Sequence, residues 1–290
     1  MSKDFFVVKY SSEAFDLERI FKLKTSEWLI KYNIRLKKSL GQNFLSDNRV
    51  ASRILEKLDL NSDDTVIEIG AGAGTLTEEL AKVVKKVITY EVDSNLKTLL
   101  SDRLKPFKNV ELRFEDFLKA NLEDLKSDSL SYVANIPYFI TSPIIEKILL
   151  ESPKFKFAAL MVQKELAERI MAVHGSRKFG SISFFVQYFC NVERILKVSR
   201  SHFIPNPGVD SVVVKLTPKY RENISEDTVG LFRFSRRLFS QRRKMLKNIL
   251  NSMGYSKEQL ESLDGIIDLK LRPEHLSVDQ IIRLYHLLMR

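Results

Sequence analysis

Apolar residues along the chain follow two rhythms. Short β-branched runs with a period of two give way to longer stretches in which apolar positions recur every three or four residues. The spacing predicts strands over 65–69, 87–92, 110–114, 130–134, 157–162, 192–198 and 212–216. Val50, Ile54, Leu55 and Leu58 mark one helix face, with Asp47 or Asn48 as its cap. Leu76, Leu80, Ala81 and Val84 mark another, and 144–150 reads as a third. Seven strands alternating with helices predict an α/β fold, an open and mostly parallel Rossmann-like sheet. After Pro218 the pattern is helical, over 232–239, 245–253, 257–263 and 278–289. The expected organisation is an extension at 1–33, a sheet domain at 34–218 and a small helical domain at 219–290. Trp28, Leu29, Ile30 and Tyr32 are expected to pack the extension onto the body.

In an open α/β sheet a ligand binds beyond the carboxyl ends of the strands. Four of those ends carry distinctive residues: the turn Gly70, Gly72 and Gly74, then Glu91, Asp116 and Asn135. The glycines let the chain bend sharply and bring backbone N–H groups close to a ligand. Glu91 follows Gly70 by about 20 residues, the usual interval to an acid that receives ribose hydroxyls. Thr75 stands where the dinucleotide fingerprint requires its third glycine, so the spacing disfavours a pyrophosphate and NAD. It suits S-adenosylmethionine (SAM), whose amino-acid end needs close backbone and whose adenine offers an amine to Asp116. At the fourth end, Asn135-Ile136-Pro137-Tyr138 sets an amide oxygen and a nearby carbonyl beside an aromatic ring. Two acceptors of that kind hold an exocyclic amine and draw its lone pair out of conjugation, while the ring stacks on the base. On its own, the string also reads as an ordinary turn with a core tyrosine.

Composition narrows the partner. A formal charge of +10 points to nucleic acid, or to no more than solubility. Arg233, Arg236, Arg237, Arg242, Arg243, Lys244 and Lys247 run through the helical region with no acid between them. They form either a solvated helix face or a phosphate platform. Arg35, Lys37 and Lys38 lead into Gly41-Gln42-Asn43 as a basic lip before the first strand. The single cysteine, Cys190, excludes disulfides within the chain and a cysteine-rich metal site, and no metal is expected. No apolar run is long enough for a membrane span, and 5–8 is too short for a signal peptide. Acids at Asp4, Glu13, Asp16 and Glu18 argue against a mitochondrial transit peptide, so the expected location is the cytoplasm.

From about residue 34 onward the chain resembles the rRNA adenine-N6,N6-dimethyltransferases, the family of the KsgA-type small-subunit enzymes and the Erm methylases. The segments that carry the likeness are KKSLGQNFL (37–45), EIGAGAG (68–74), EVD (91–93), ED (115–116), NIPY (135–138) and FIPNPGVDS (203–211). The resemblance implies that Asn43, Leu45, Gly70, Glu91, Asp116 and Asn135 contact SAM. It implies that Asn135 and the Ile136 carbonyl hold the target amine, and that Tyr138 and Phe203 stack on opposite faces of a flipped adenine. No general base is required, and the four histidines are expected to be structural or surface residues. Asp210 and the run 239–248 favour the small-subunit branch. Ile136 leans slightly towards Erm, and Phe139 stands where relatives often have Asn. The implied activity is dimethylation of two adjacent adenosines near the 3′ end of small-subunit (16S) rRNA, by a monomer, in an assembling ribosomal subunit. Arg236, Arg237, Arg242, Arg243, Lys244 and Lys247 would hold the RNA. The alternatives are an Erm-type enzyme acting on a large-subunit adenine and a non-catalytic assembly factor that binds pre-rRNA.

Overall fold

A computed structural model describes residues 23–125, 129–152, 154–219 and 226–289. The part of the extension at 1–22 lies outside the described residues. Among the described residues, nine strands form two sheets. The strands are β1 (Phe44–Leu45), β2 (Thr65–Ile69), β3 (Lys86–Tyr90), β4 (Val110–Arg113), β5 (Leu130–Asn135), β6 (Phe157–Gln163), β7 (Cys190–Val198), β8 (Phe203–Ile204) and β9 (Ser211–Pro218). The large sheet has the order β4-β3-β2-β5-β6-β9-β7. Its first five strands are parallel, while β9 runs antiparallel between β6 and β7. All seven expected strands are therefore present, and one is reversed.

Period-two alternation divides the side chains between two cores. Ile67 and Ile69 of β2, Tyr132 and Ala134 of β5, and Leu160 and Val162 of β6 enter one core. Val66, Val133, Ala159 and Met161, their neighbours in sequence, enter the other. With both faces covered, the strands read as nearly continuous apolar runs. The small sheet pairs β1 with β8, Leu45 opposite Phe203. Two-residue strands are too short to show a period, and this pairing was not foreseen.

The helices are α1 (Thr25–Lys31), α2 (Asn48–Leu55), α3 (Thr75–Ala81), α4 (Lys97–Leu104), α5 (Thr141–Glu151), α6 (Lys164–Ile170), α7 (Ser181–Phe189), α8 (Glu226–Ser240), α9 (Leu246–Ser252), α10 (Lys257–Glu261) and α11 (Val278–Leu288). The Asp47 side chain caps α2 by accepting the Arg49 N–H. The C-terminal helices share the first core with the sheet. Phe184 and Phe185 of α7 pack edge-on against Phe232 of α8, with centroids 6.0 and 4.6 Å apart. Gly230 of α8 lies so close to α11 that a Cβ there would fall 2.1 Å from the Tyr285 hydroxyl.

Helix α1 docks on the body through Trp28, which is 2% exposed and packs among Phe44, Ala71, Ala73 and Leu99. Tyr32 stacks on it at 5.8 Å, and the Thr25 hydroxyl bonds to the Leu45 carbonyl and the Thr75 hydroxyl. Ile30 is a correction to the expected packing: it is 61% exposed, because Trp28 and Leu29 occupy the buried side of this two-turn helix. Truncating Trp28 would open a cavity directly beneath the glycine turn. Trp28→Ala should destabilise the fold by about 3–5 kcal/mol, read from urea denaturation. A loss below about 1 kcal/mol would mean that α1 is not held by this contact.

Candidate active site

Strand order reverses between β2 and β5, and a cleft of about 940 Å³, counting its open mouth, lies beyond their carboxyl ends. The glycine turn forms its floor. Gly70 and Ala71 both donate their N–H groups to the Tyr90 carbonyl, at 2.8 and 3.1 Å, folding the turn back over β3. Gly70 and Gly72 line the cleft at φ of 83° and 56°, and a Cβ on Gly72 would meet the Phe44 ring at 2.9 Å. Gly74 is a correction, since it does not line the cleft. It opens α3, and a Cβ there would press on Leu100 and Arg103 of α4 at 3.2 and 3.3 Å. Its role is helix packing, while the flanking residues Ala73 and Thr75 face the cleft.

Glu91, at the end of β3, accepts the Gly72 N–H and the Asp93 N–H, each at 2.8 Å. Burial raises its pKa, and these backbone hydrogen bonds oppose the shift. Asp93 in turn receives Lys37 Nζ at 2.7 Å and Gln42 Nε2 at 2.8 Å. The basic lip is thereby tied to the carboxylate proposed for ribose. Neither Lys37, Gln42 nor Asp93 was singled out for this role, because residues 56 and 51 positions apart give no local signal of pairing. Asp116 lines the opposite wall and accepts the Leu118 N–H at 3.0 Å.

At the end of β5, Asn135 Nδ2 donates to the Asn43 carbonyl at 3.0 Å, which leaves Oδ1 as the acceptor of that side chain. Asn43 is itself braced by its amide on the Gly41 carbonyl at 2.9 Å. The Ile136 side chain is buried in the core, and Pro137 starts the turn by accepting the Ile140 N–H at 3.1 Å. Tyr138 is half-buried, with its hydroxyl 2.9 Å from Ser211 Oγ, and burial raises its pKa. Leu45 lines the cleft from β1. Asn43, Leu45, Gly70, Gly72, Glu91, Asp116, Asn135, Ile136, Pro137 and Tyr138 thus share one cleft.

Phe203 does not join them. It is 1% exposed and sits in β8 within the core of Leu45, Val50 and Val213, outside the cleft lining. An aromatic identity marks a residue as apolar without showing which side of a short strand it takes. The basic residues also separate. Arg242 donates to the Arg177 and Phe179 carbonyls at 2.5 and 2.7 Å, and Arg236 pairs with Glu146 at 2.6 Å. Arg237 makes a long contact with the Met253 carbonyl at 3.4 Å. Arg243, Lys244 and Lys247 are exposed and make no side-chain ion pair among the described residues. No group of three or more His, Cys, Asp or Glu placed to hold a metal occurs among the described residues.

A sheet that reverses order at a cleft lined by a glycine floor, two strand-end carboxylates, an oriented amide and a half-buried tyrosine has the architecture of a nucleoside-cofactor methyltransferase. Residues 33–290 match the family described as ribosomal RNA adenine dimethylase, and the chain belongs to that family. It is 49% identical over 265 residues to ribosomal RNA small subunit methyltransferase A of Thermotoga neapolitana, covering 91% of this chain and 96% of that protein. The protein of the same name from Clostridium botulinum strain Kyoto is 42% identical over 272 residues, covering 90% and 97%. Among solved structures, a dimethyladenosine transferase from Plasmodium falciparum superposes with a TM-score of 0.70 at 32% identity, covering 83% of this chain and 95% of that one. The 23S rRNA methyltransferase ErmE gives 0.63 at 28% identity, covering 86% and 100%. The protein is a SAM-dependent rRNA adenine dimethyltransferase, and the residues present fit its cofactor. The glycine floor admits close backbone contact, and Glu91 and Asp116 offer acceptors at the two strand ends.

Glu68 also lines the cleft, from inside β2. One of its oxygens accepts the Thr77 hydroxyl at 2.5 Å, and the other is buried near the Thr89 hydroxyl without a well-formed hydrogen bond. Burial, partly offset by the Thr77 bond, raises its pKa from 4.5 to about 8. The folded state therefore holds this proton where the unfolded chain releases it. Stability is greatest below the ordinary carboxylate range and falls as pH rises through about 8. Glu68→Gln should remove this slope, leaving the melting temperature unchanged near pH 5 and raising it by at least about 4 °C near pH 9. An equal shift at both pH values would show that the carboxyl is not held neutral.

Proposed function

We propose that the chain methylates N6 of two adjacent adenosines near the 3′ end of small-subunit rRNA, acting as a monomer in the cytoplasm on an assembling subunit. The observation that carries the catalytic part is the anchored Asn135 amide, whose nitrogen is occupied by the Asn43 carbonyl. Its oxygen then accepts one hydrogen of the adenine amine, and the Ile136 carbonyl accepts the other. With both hydrogens held, the N6 lone pair leaves conjugation with the ring and becomes nucleophilic. SAM supplies an electrophilic methyl group on a sulfonium. Held by the glycine floor, Glu91 and Asp116, it would give that methyl to N6 and leave as a neutral thioether, and the alkylated nitrogen would lose its proton to water. Tyr138 offers its ring to the flipped base, and stacking returns part of the cost of extrusion.

The choice of the small subunit is supported by the names of the Thermotoga and Clostridium relatives. An Erm-type large-subunit specificity is the competing outcome. Incubating the chain and labelled SAM with isolated small and large subunits should label the small subunit alone. Asn135→Ala should lower that rate at least about a hundredfold while leaving RNA affinity within a few-fold. Label confined to the large subunit would reject the substrate, and parallel loss of rate and affinity would make Asn135 a folding residue.

Exposure of Arg243, Lys244 and Lys247 supports a phosphate-binding role for these three, whereas Arg242 holds the loop to the body. Reversing Arg243 and Lys244 to Glu should reduce the slope of log affinity against log salt by about 1 per residue and leave SAM binding unchanged. An unaltered slope would place the RNA elsewhere.

A further inference from the structure

One aromatic at the cleft mouth is used neither by the core nor by the amine site. Phe139 follows Tyr138 in the short helical turn Tyr138–Ile140 and is 62% exposed, the one exposed aromatic among the described residues. Its ring edge rests on Gly41, where a Cβ would meet Phe139 Cε1 at 2.9 Å. Gly41 takes the left-handed conformation, φ 60°, and its N–H donates to the Lys38 carbonyl at 3.0 Å. The ring thus stands between the Asn135–Tyr138 turn and the basic lip, on which Arg35 and Lys38 are exposed. Its neighbours Leu40, Gly41, Tyr138 and Ile140 line the cleft, but Phe139 itself does not.

That position decides which base the ring can meet. On the proposed function a base inside the cleft lies against Tyr138, whereas Phe139 stands at the mouth, on Gly41 and outside the residues that line the cleft. Flipping one nucleotide, however, strips the next one of its stacking partner at the cleft mouth. A bare phenyl ring replaces that partner without reading the base, since it has no donor or acceptor. The exposed Arg35 and Lys38 supply the positive charge that the flanking phosphates require. With Phe203 buried, Phe139 is the aromatic left to make this contact.

We propose that Phe139 is the stacking platform for the nucleobase adjacent to the flipped adenosine, a positioning residue for RNA rather than for the cofactor. On the proposed function, from which this follows, that neighbour is the second target adenosine, and the platform holds one adenosine while the other reacts.

The test is single-turnover methylation of assembling small subunits by the full chain, with Phe139→Ala, Phe139→Leu and Phe139→Trp. Leu keeps apolar packing on Gly41 but lacks a π face, and Trp enlarges that face. Ala and Leu should raise the half-saturating subunit concentration by roughly five- to a hundredfold, with the maximal rate and SAM affinity within about twofold. Trp should restore wild-type behaviour. A Leu variant equal to wild type would overturn the assignment, because packing alone would then suffice. So would an Ala variant that loses SAM affinity in parallel, which would make the ring a brace for the lip. If the wild-type chain leaves small subunits unlabelled, the proposed substrate fails and the platform for its second adenosine fails with it. A labelled wild type with indifferent variants rejects the platform alone.

Discussion

The hydrogen bond from Asn135 Nδ2 to the Asn43 carbonyl fixes which end of an amide faces the cleft. Oxygen and nitrogen are close to interchangeable in shape, so packing alone would orient an asparagine poorly. A carbonyl on one side breaks the tie, because only the NH₂ end can satisfy it. The bond contributes a net stability of only about 0.5–1.5 kcal/mol. The flipped amide would instead set two acceptors against each other, and the cleft would present a donor where an amine needs an acceptor. Its value is therefore in orientation more than in holding the fold together.

That bond depends on where the lip stands. The lip is held by Gln42 and Lys37 on Asp93, and the Asp93 backbone N–H in turn bonds to Glu91, which also accepts the Gly72 N–H. Burial pushes the Asp93 carboxyl up, but the Lys37 and Gln42 hydrogen bonds outweigh it and leave its pKa below the usual value. A charged Asp93 is thus the stable form while both donors are in place. The glycine floor, the strand-end carboxylate, the lip and the amide form one connected path. The residues proposed for the cofactor and those proposed for the target amine are therefore held by the same few contacts.

The sheet was legible from the sequence because buried parallel strands leave β-branched runs that neither loops nor surface helices produce. The strand ends were legible in part for the same reason: Gly70, Glu91 and Asn135 each follow an apolar run, Asp116 follows the alternating edge strand β4, and topology brings these carboxyl ends together. What escaped was the facing of single residues. Ile30 and Phe203 are both apolar, yet one is exposed and the other buried, and a two-turn helix or a two-residue strand is too short for a period to tell them apart. Gly74 looked like the other glycines until its neighbours on α4 were in view. The basic run likewise showed charge without partners, and carbonyl acceptors such as those of Arg177 and Phe179 leave no trace in a count of acids.

Those acceptors give Arg242 a consequence beyond its own loop. Phe179 packs edge-on against Phe239 of α8 at 5.9 Å, in the core that the sheet shares with the C-terminal helices. Arg242 therefore ties the turn between α8 and α9 to a residue fixed in that core. Arg243 and Lys244, next in the chain, project from a turn whose place relative to the cleft is set by packing. Backbone charges position a nucleic acid without reading it, so their usefulness depends on a constant distance to the site that acts on the base. A platform on a loose tether would raise local concentration and leave the reacting amine unplaced. Here the same apolar core supports the strand that carries Asn135 and the helix that leads to the basic turn, which fixes the distance between them that the proposed phosphate contacts require.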